Sequence, residues 1–124
     1  MEEQKISLSN AEWRLMDYLW DENPKTIQDM VKHFEGITNW DRHVIIMMLK
    51  RMEAKGAVSH TMQERRKSFY PIVEKNYACL KETEDFLNRV YKGKLGLMLT
   101  TMVKQEKISQ EELEELREIL RSEE

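Results

Sequence analysis

The chain has 124 residues, 35% of them charged, with only four glycines and two prolines. That is enough for one small domain, or a head with an oligomerisation arm, and too few turn residues for an all-β fold. No apolar run approaches the roughly 18 residues that cross a bilayer, the acidic start MEEQKISLSN lacks a signal-peptide apolar region, and the lone Cys79 cannot close an internal disulfide, so a cytoplasmic, mainly helical protein with no membrane partner is expected.

The net charge of −3 is unevenly spread. Residues 1–39 carry four Lys/Arg against eight Asp/Glu, residues 40–75 eight against four, and residues 76–124 eight against eleven. A basic segment of +4 thus sits in an acidic protein, a pattern that argues against promiscuous nucleic-acid binding but suits one localised contact.

In chain order, Ser9-Asn10-Ala11-Glu12 is a capping box that opens a first helix with an apolar stripe at Trp13, Met16, Leu19 and Trp20. The turn DENPK ends it. Thr26-Ile27-Gln28-Asp29 opens a second helix with a stripe at Ile27, Met30, Val31 and Phe34, and Gly36 stops it. Asp41 caps a third helix that runs to about Lys55, with Gly56 beyond it. In that helix Ile45, Met48, Leu49 and Met52 fall at i, i+3, i+4, i+7 and are assigned to the core. The period then changes: AVSHTMQERRKSFYPIV alternates about a charged tip, Gln63 to Lys67, predicting two antiparallel strands in which Val58, His60 and Met62 answer Phe69. Pro71 belongs at an edge or a strand end.

From Asn76 the helical period returns with Tyr77, Leu80, Leu87, Val90 and Tyr91, and YKGKLG breaks it. Leu95, Met98, Leu99, Met102 and Val103 mark a short helix, and a capping box at Ser109–Glu112 opens a last one with Leu113, Leu116, Ile119 and Leu120. These helices have apolar faces but too few residues for a closed core, and a second copy of the chain is the simplest cover. The expected architecture is a winged helix-turn-helix domain over residues 1–75, with three helices and a two- or three-stranded β-wing, followed by a helical dimerisation domain over 76–124. The dimer contacts assigned are Tyr77, Leu80, Leu87, Val90, Tyr91, Met98, Met102, Leu113, Leu116, Ile119 and Leu120.

In a winged helix the third helix enters the major groove while the wing follows the backbone, and both elements lie in the +4 segment. Double-stranded DNA is therefore the expected partner, with Arg42, His43, Val44, Ile46, Met47, Lys50 and Arg51 on the helix and Arg65, Arg66 and Lys67 on the wing as contacts. Val44, Ile46 and Met47 lie off the core stripe. They suit thymine methyl groups, a patch covered by a partner protein or dimer mate, or a helix rotated from this assignment. Arg51 also fits a salt bridge within the domain, and the wing tip also fits a solvated turn. A protein-interaction module on a winged-helix scaffold is the competing reading.

His33, His43 and His60 are isolated from other metal-ligating residues, and Cys79 beside the fourth helix's stripe reads as a packed side chain. Neither a phosphate-binding glycine loop nor a nucleophile–base set is present. The expectation is no enzyme, no metal and no cofactor.

Taken together, SNAEWRLMDYLW (9–20), Trp40 with Ile45, LKRMEAKGAVSH (49–60), YPIV (70–73), FLNRVYKG (86–93) and ISQEELEELREIL (108–120) resemble the BlaI/MecI family of penicillinase and methicillin-resistance repressors. The resemblance implies a homodimeric winged-helix repressor that binds a dyad-symmetric operator and dimerises through its C-terminal helices. Three departures stand out. The family's polar residues early in the recognition helix are here Val44, Ile46 and Met47. The C-terminal cysteine cluster of the copper-responsive branch is missing from ILRSEE. The Asn–Phe bond cut by a sensor protease in antibiotic-responsive members is matched by Thr101-Met102, where the resemblance places a cleavage region and a sensor protease as a further partner.

Overall fold

The computed structural model describes residues 6–123; residues 1–5 and 124, including the acidic MEEQK start, lie outside the described residues. The elements are α1 (Asn10–Asp21), β1 (Lys25–Thr26), α2 (Ile27–Phe34), α3 (Arg42–Ala54), β2 (Val58–Gln63), β3 (Arg66–Pro71), α4 (Lys75–Tyr91), α5 (Leu95–Lys104) and α6 (Gln110–Ser122). The described residues form two compact units that part between Leu80 and Lys81.

In the head, the Ser9 hydroxyl accepts the Glu12 amide (3.2 Å) and the Glu12 carboxylate accepts the Ser9 amide (2.8 Å), so the predicted capping box starts α1. The buried face of α1 is Glu12, Leu15, Met16 and Leu19. Trp13 and Trp20 are half-buried on its flank, where the Trp20 indole N–H donates to the Val73 carbonyl (2.9 Å). The second capping box, Thr26 with Asp29, starts α2, which buries Met30 and Phe34. Asp41 caps α3 by accepting the Val44 amide (2.9 Å). Ile45, Met48, Leu49 and Met52 are buried, as their spacing predicted. Each such side chain contributes about 2 kcal/mol by leaving water.

The sheet is antiparallel in the order β1-β3-β2. β1, unforeseen in the sequence, pairs Lys25 with Phe69 and Thr26 with Ser68. β2 sets His60 opposite Phe69 and Gln63 opposite Arg66. The hairpin turn is therefore only Glu64-Arg65, both left-handed at φ 49° and 68°, the geometry that matches strand twist in a two-residue loop. Arg66 and Lys67 are strand residues rather than part of the tip. Pro71 closes β3, where its missing N–H interrupts nothing further along the strand.

The first turn of α4 belongs to the head: Ala78 is buried and Tyr77 packs against the core. Cys79, expected to pack, is exposed, because Ala78 takes the inward position. In the second unit, α4 ends at Tyr91 and the chain turns through Lys92 and Gly93 at φ 55° and 81°. Gly96 lies inside α5 rather than in the break. The predicted Ser109–Glu112 capping box starts α6. Among the described residues of this unit no side chain is buried, and no helix is long and apolar enough to cross a membrane.

Candidate nucleic-acid interface

The buried face of α3 dictates what its other faces present. With Ile45, Met48, Leu49 and Met52 inward, His43, Met47 and Lys50 fall at i, i+4, i+7 on the opposite face, and all three are exposed. Val44, on one flank, is also exposed, whereas Ile46 on the other flank is only half-buried and lines a small crevice with Ile27, Leu49, Phe69 and Lys67. The three apolar residues off the core stripe thus occupy different settings.

Two basic residues hold the C-terminal half of α3 in place. Lys55 Nζ lies 2.6 Å from Glu12 Oε1 and also donates to the Ser7 carbonyl (2.7 Å). Arg51 Nε lies 3.9 Å from Glu12 Oε2, although its side chain is largely exposed. Burial alone would raise the Glu12 carboxyl, but the Lys55 hydrogen bond, the Ser9 amide and the Lys55 charge together hold it below the usual glutamate range. Sequence reasoning missed this pair, because Glu12 and Lys55 are 43 residues apart.

At the other end of α3, Arg42 donates to Gln28 (3.2 Å). An open cleft of about 380 Å³ lies between Thr26–Gln28, Arg42 and the wing residues Arg65, Arg66 and Lys67. Four cations and the N-terminal end of α2 border it, an environment suited to a phosphate. Asp29 is held below the usual aspartate range chiefly by the Thr26 amide, with Arg66 adding a favourable field. That carboxylate already satisfies the Thr26 amide, so the cations supply most of the attraction. Gln28 carries no charge, so the charge distribution along the sequence gave no sign of it.

Of the residues assigned to dimer contacts, Tyr77 and Leu80 belong to the head and the rest lie along the helical arm. Tyr77 is half-buried in the head; Leu80, Val90, Ile119 and Leu120 are exposed; Leu87, Tyr91, Met98, Met102, Leu113 and Leu116 are partly covered. Thr101 and Met102 sit within α5, where the Thr101 hydroxyl donates to the Leu97 carbonyl (2.9 Å). That is ordered helix, unlike the loop tips where proteolysis concentrates. Of the three histidines, His33 stacks on Tyr18 and His60 pairs with Glu53.

Three helices with an antiparallel wing beside the third define a winged helix-turn-helix head. Comparison with known proteins agrees: the sequence matches the penicillinase repressor family over residues 8–122, and the chain belongs to that family. The methicillin resistance regulatory protein MecI of Staphylococcus aureus is 28% identical over 120 residues, covering 97% of this chain and 98% of that protein. The penicillinase repressor of Bacillus licheniformis is 28% identical over 113 residues, 91% of this chain and 88% of that one. Among solved structures, the DNA-binding domain of the repressor BlaI aligns with a TM-score of 0.53 at 24% identity, over 60% of this chain and 90% of that one. The Bacillus licheniformis BlaI monomer in complex with the blaP half-operator aligns with a TM-score of 0.52 at 26% identity, over 58% and 89%.

Proposed function

We propose that this protein is a transcriptional repressor that binds a dyad-symmetric operator as a homodimer. In this reading α3 enters the major groove, the wing and the cleft at Arg42 grip phosphates, and the helices beyond Leu80 join two heads. The observation that carries it is the cleft: Arg42 at the start of α3 and Arg65, Arg66 and Lys67 on the wing, drawn from separate parts of the chain, border one opening. The family's repressors and the BlaI complex with a half-operator support the same reading. The exposed apolar side chains of the arm support the dimer.

A mobility-shift assay of the full chain on the DNA upstream of its own gene tests the proposal. A retarded complex that weakens steeply with salt is expected, because each neutralised phosphate releases counterions. A stable complex with another protein, and no shift on any duplex, would favour an interaction module instead.

A further inference from the structure

We infer that the operator half-site is read through thymine methyl groups, with Val44 and Met47 as the contacting side chains; this rests on the DNA-binding reading above. The first reason is what α3 has to offer. Its residues, RHVIIMMLKRMEA, include no Asn, Gln, Ser or Thr. Three of its five polar side chains have partners in the head: Arg42 with Gln28 and Arg51 beside Glu12, both at the surface, and Glu53 with His60. His43 and Lys50 remain as the hydrogen-bonding groups on the exposed face. The bidentate partners of adenine, Asn and Gln, are missing, whereas the thymine methyl is the base feature that an apolar side chain recognises in the major groove.

The second reason is position. Val44 and Met47 are 37% and 42% exposed, at i and i+3 in the first two turns of α3, the part of a recognition helix that reaches base edges. Ile46 does not share this role. It is half-buried on the flank of α3 and lines a crevice with Ile27, Leu49 and Phe69, away from the exposed face that carries Met47. Charge decides the occupant. Two apolar side chains bordered by Arg42, His43 and Lys50 offer too little greasy area for a protein interface and the right sign for a polyanion.

The test begins with in vitro selection of a random-sequence duplex library by the full chain. Each thymine of the selected duplex is then replaced singly by deoxyuridine, which deletes only the methyl, and affinity is read by fluorescence anisotropy. At one or two thymines per half-site Kd should rise about fourfold, the worth of one buried methyl, with other positions unaffected. In Met47→Ala or Val44→Ala the thymine-to-uracil ratio at one of those positions should fall to unity, with the melting temperature unchanged. A wild-type chain indifferent to uracil everywhere would overturn the inference and leave DNA binding standing. So would variants that lose affinity equally on both duplexes. If no sequence is enriched, the DNA-binding reading itself fails, and the inference fails with it.

Discussion

Lys55 Nζ stands 2.6 Å from Oε1 of Glu12, a carboxylate only 1% exposed, so the C-terminal end of α3 is tied to the first turn of α1. The other oxygen, Oε2, has no hydrogen bond among the described residues, and Arg51 approaches it only to 3.9 Å. Besides its buried face, the C-terminal end of α3 is therefore held to α1 mainly by one ammonium group. Replacing Lys55 by Met strands a buried charge and should destabilise the head by about 2 kcal/mol, less than for a fully buried pair because Lys55 is a third exposed. Urea unfolding measures it. The double variant Lys55→Met/Glu12→Gln should recover at least half the loss; strictly additive losses would mean the two residues are uncoupled.

Acid should erase the same contribution. The folded-state Glu12 carboxyl lies below its ordinary value, so its stabilisation is full above the unfolded value of about 4.3 and is lost as pH falls through the lower folded value. The gap in urea midpoint between wild type and Glu12→Gln should be constant near neutrality and close in acid. A gap that is flat across this range would show that the ionised form is not what stabilises the head.

Replacing Arg65, Arg66 and Lys67 together with Ala should weaken binding to every duplex by a similar factor. It should also flatten the slope of log K against log salt by roughly 0.9 for each phosphate that is no longer neutralised. A triple variant with the wild-type salt slope would remove the wing from the DNA backbone. Arg65→Gly alone separates two effects. It relieves a non-glycine residue at φ 68° and should raise stability by roughly 0.5–1 kcal/mol, while lowering DNA affinity.

The arm is tested by introducing charge on its apolar faces. Leu116→Glu with Ile119→Glu should convert a dimer to a monomer in light scattering and weaken operator binding about a hundredfold, as linked heads become single ones. A chain ending at Leu80 keeps Tyr77 and Ala78 on the head core and should stay folded as a monomer. A dimer that survives both changes would place the interface elsewhere.

What the sequence made legible were features with a local cause. The three capping boxes and the four-residue core stripe of α3 need only neighbours within one or two turns, and they form as their spacing requires. In α1 the largest apolar residues, Trp13 and Trp20, point to a stripe centred between them. The inward face instead takes Leu15 and the charged Glu12, because Lys55 arrives from elsewhere to neutralise that carboxylate. β1 is two residues long and exists only through its pairing with β3, so no period could announce it. Five polar residues from Gln63 to Lys67 look alike in sequence and suggest a wide wing tip, whereas backbone handedness confines the turn to Glu64-Arg65. In the candidate site, the cations could be found from charge, but the cleft that gathers them depends on the uncharged Thr26 and Gln28.

Helices whose described side chains all remain at least partly accessible between Lys81 and Glu123 have no interior of their own. In the homodimer proposed here, their order is then supplied by the other copy, and the number of molecules in the cell becomes a structural variable. When dimers are scarce, halving the chain's abundance leaves a quarter of them, so operator occupancy falls faster than protein level. A repressor assembled this way would release its operator more than in proportion as its concentration falls.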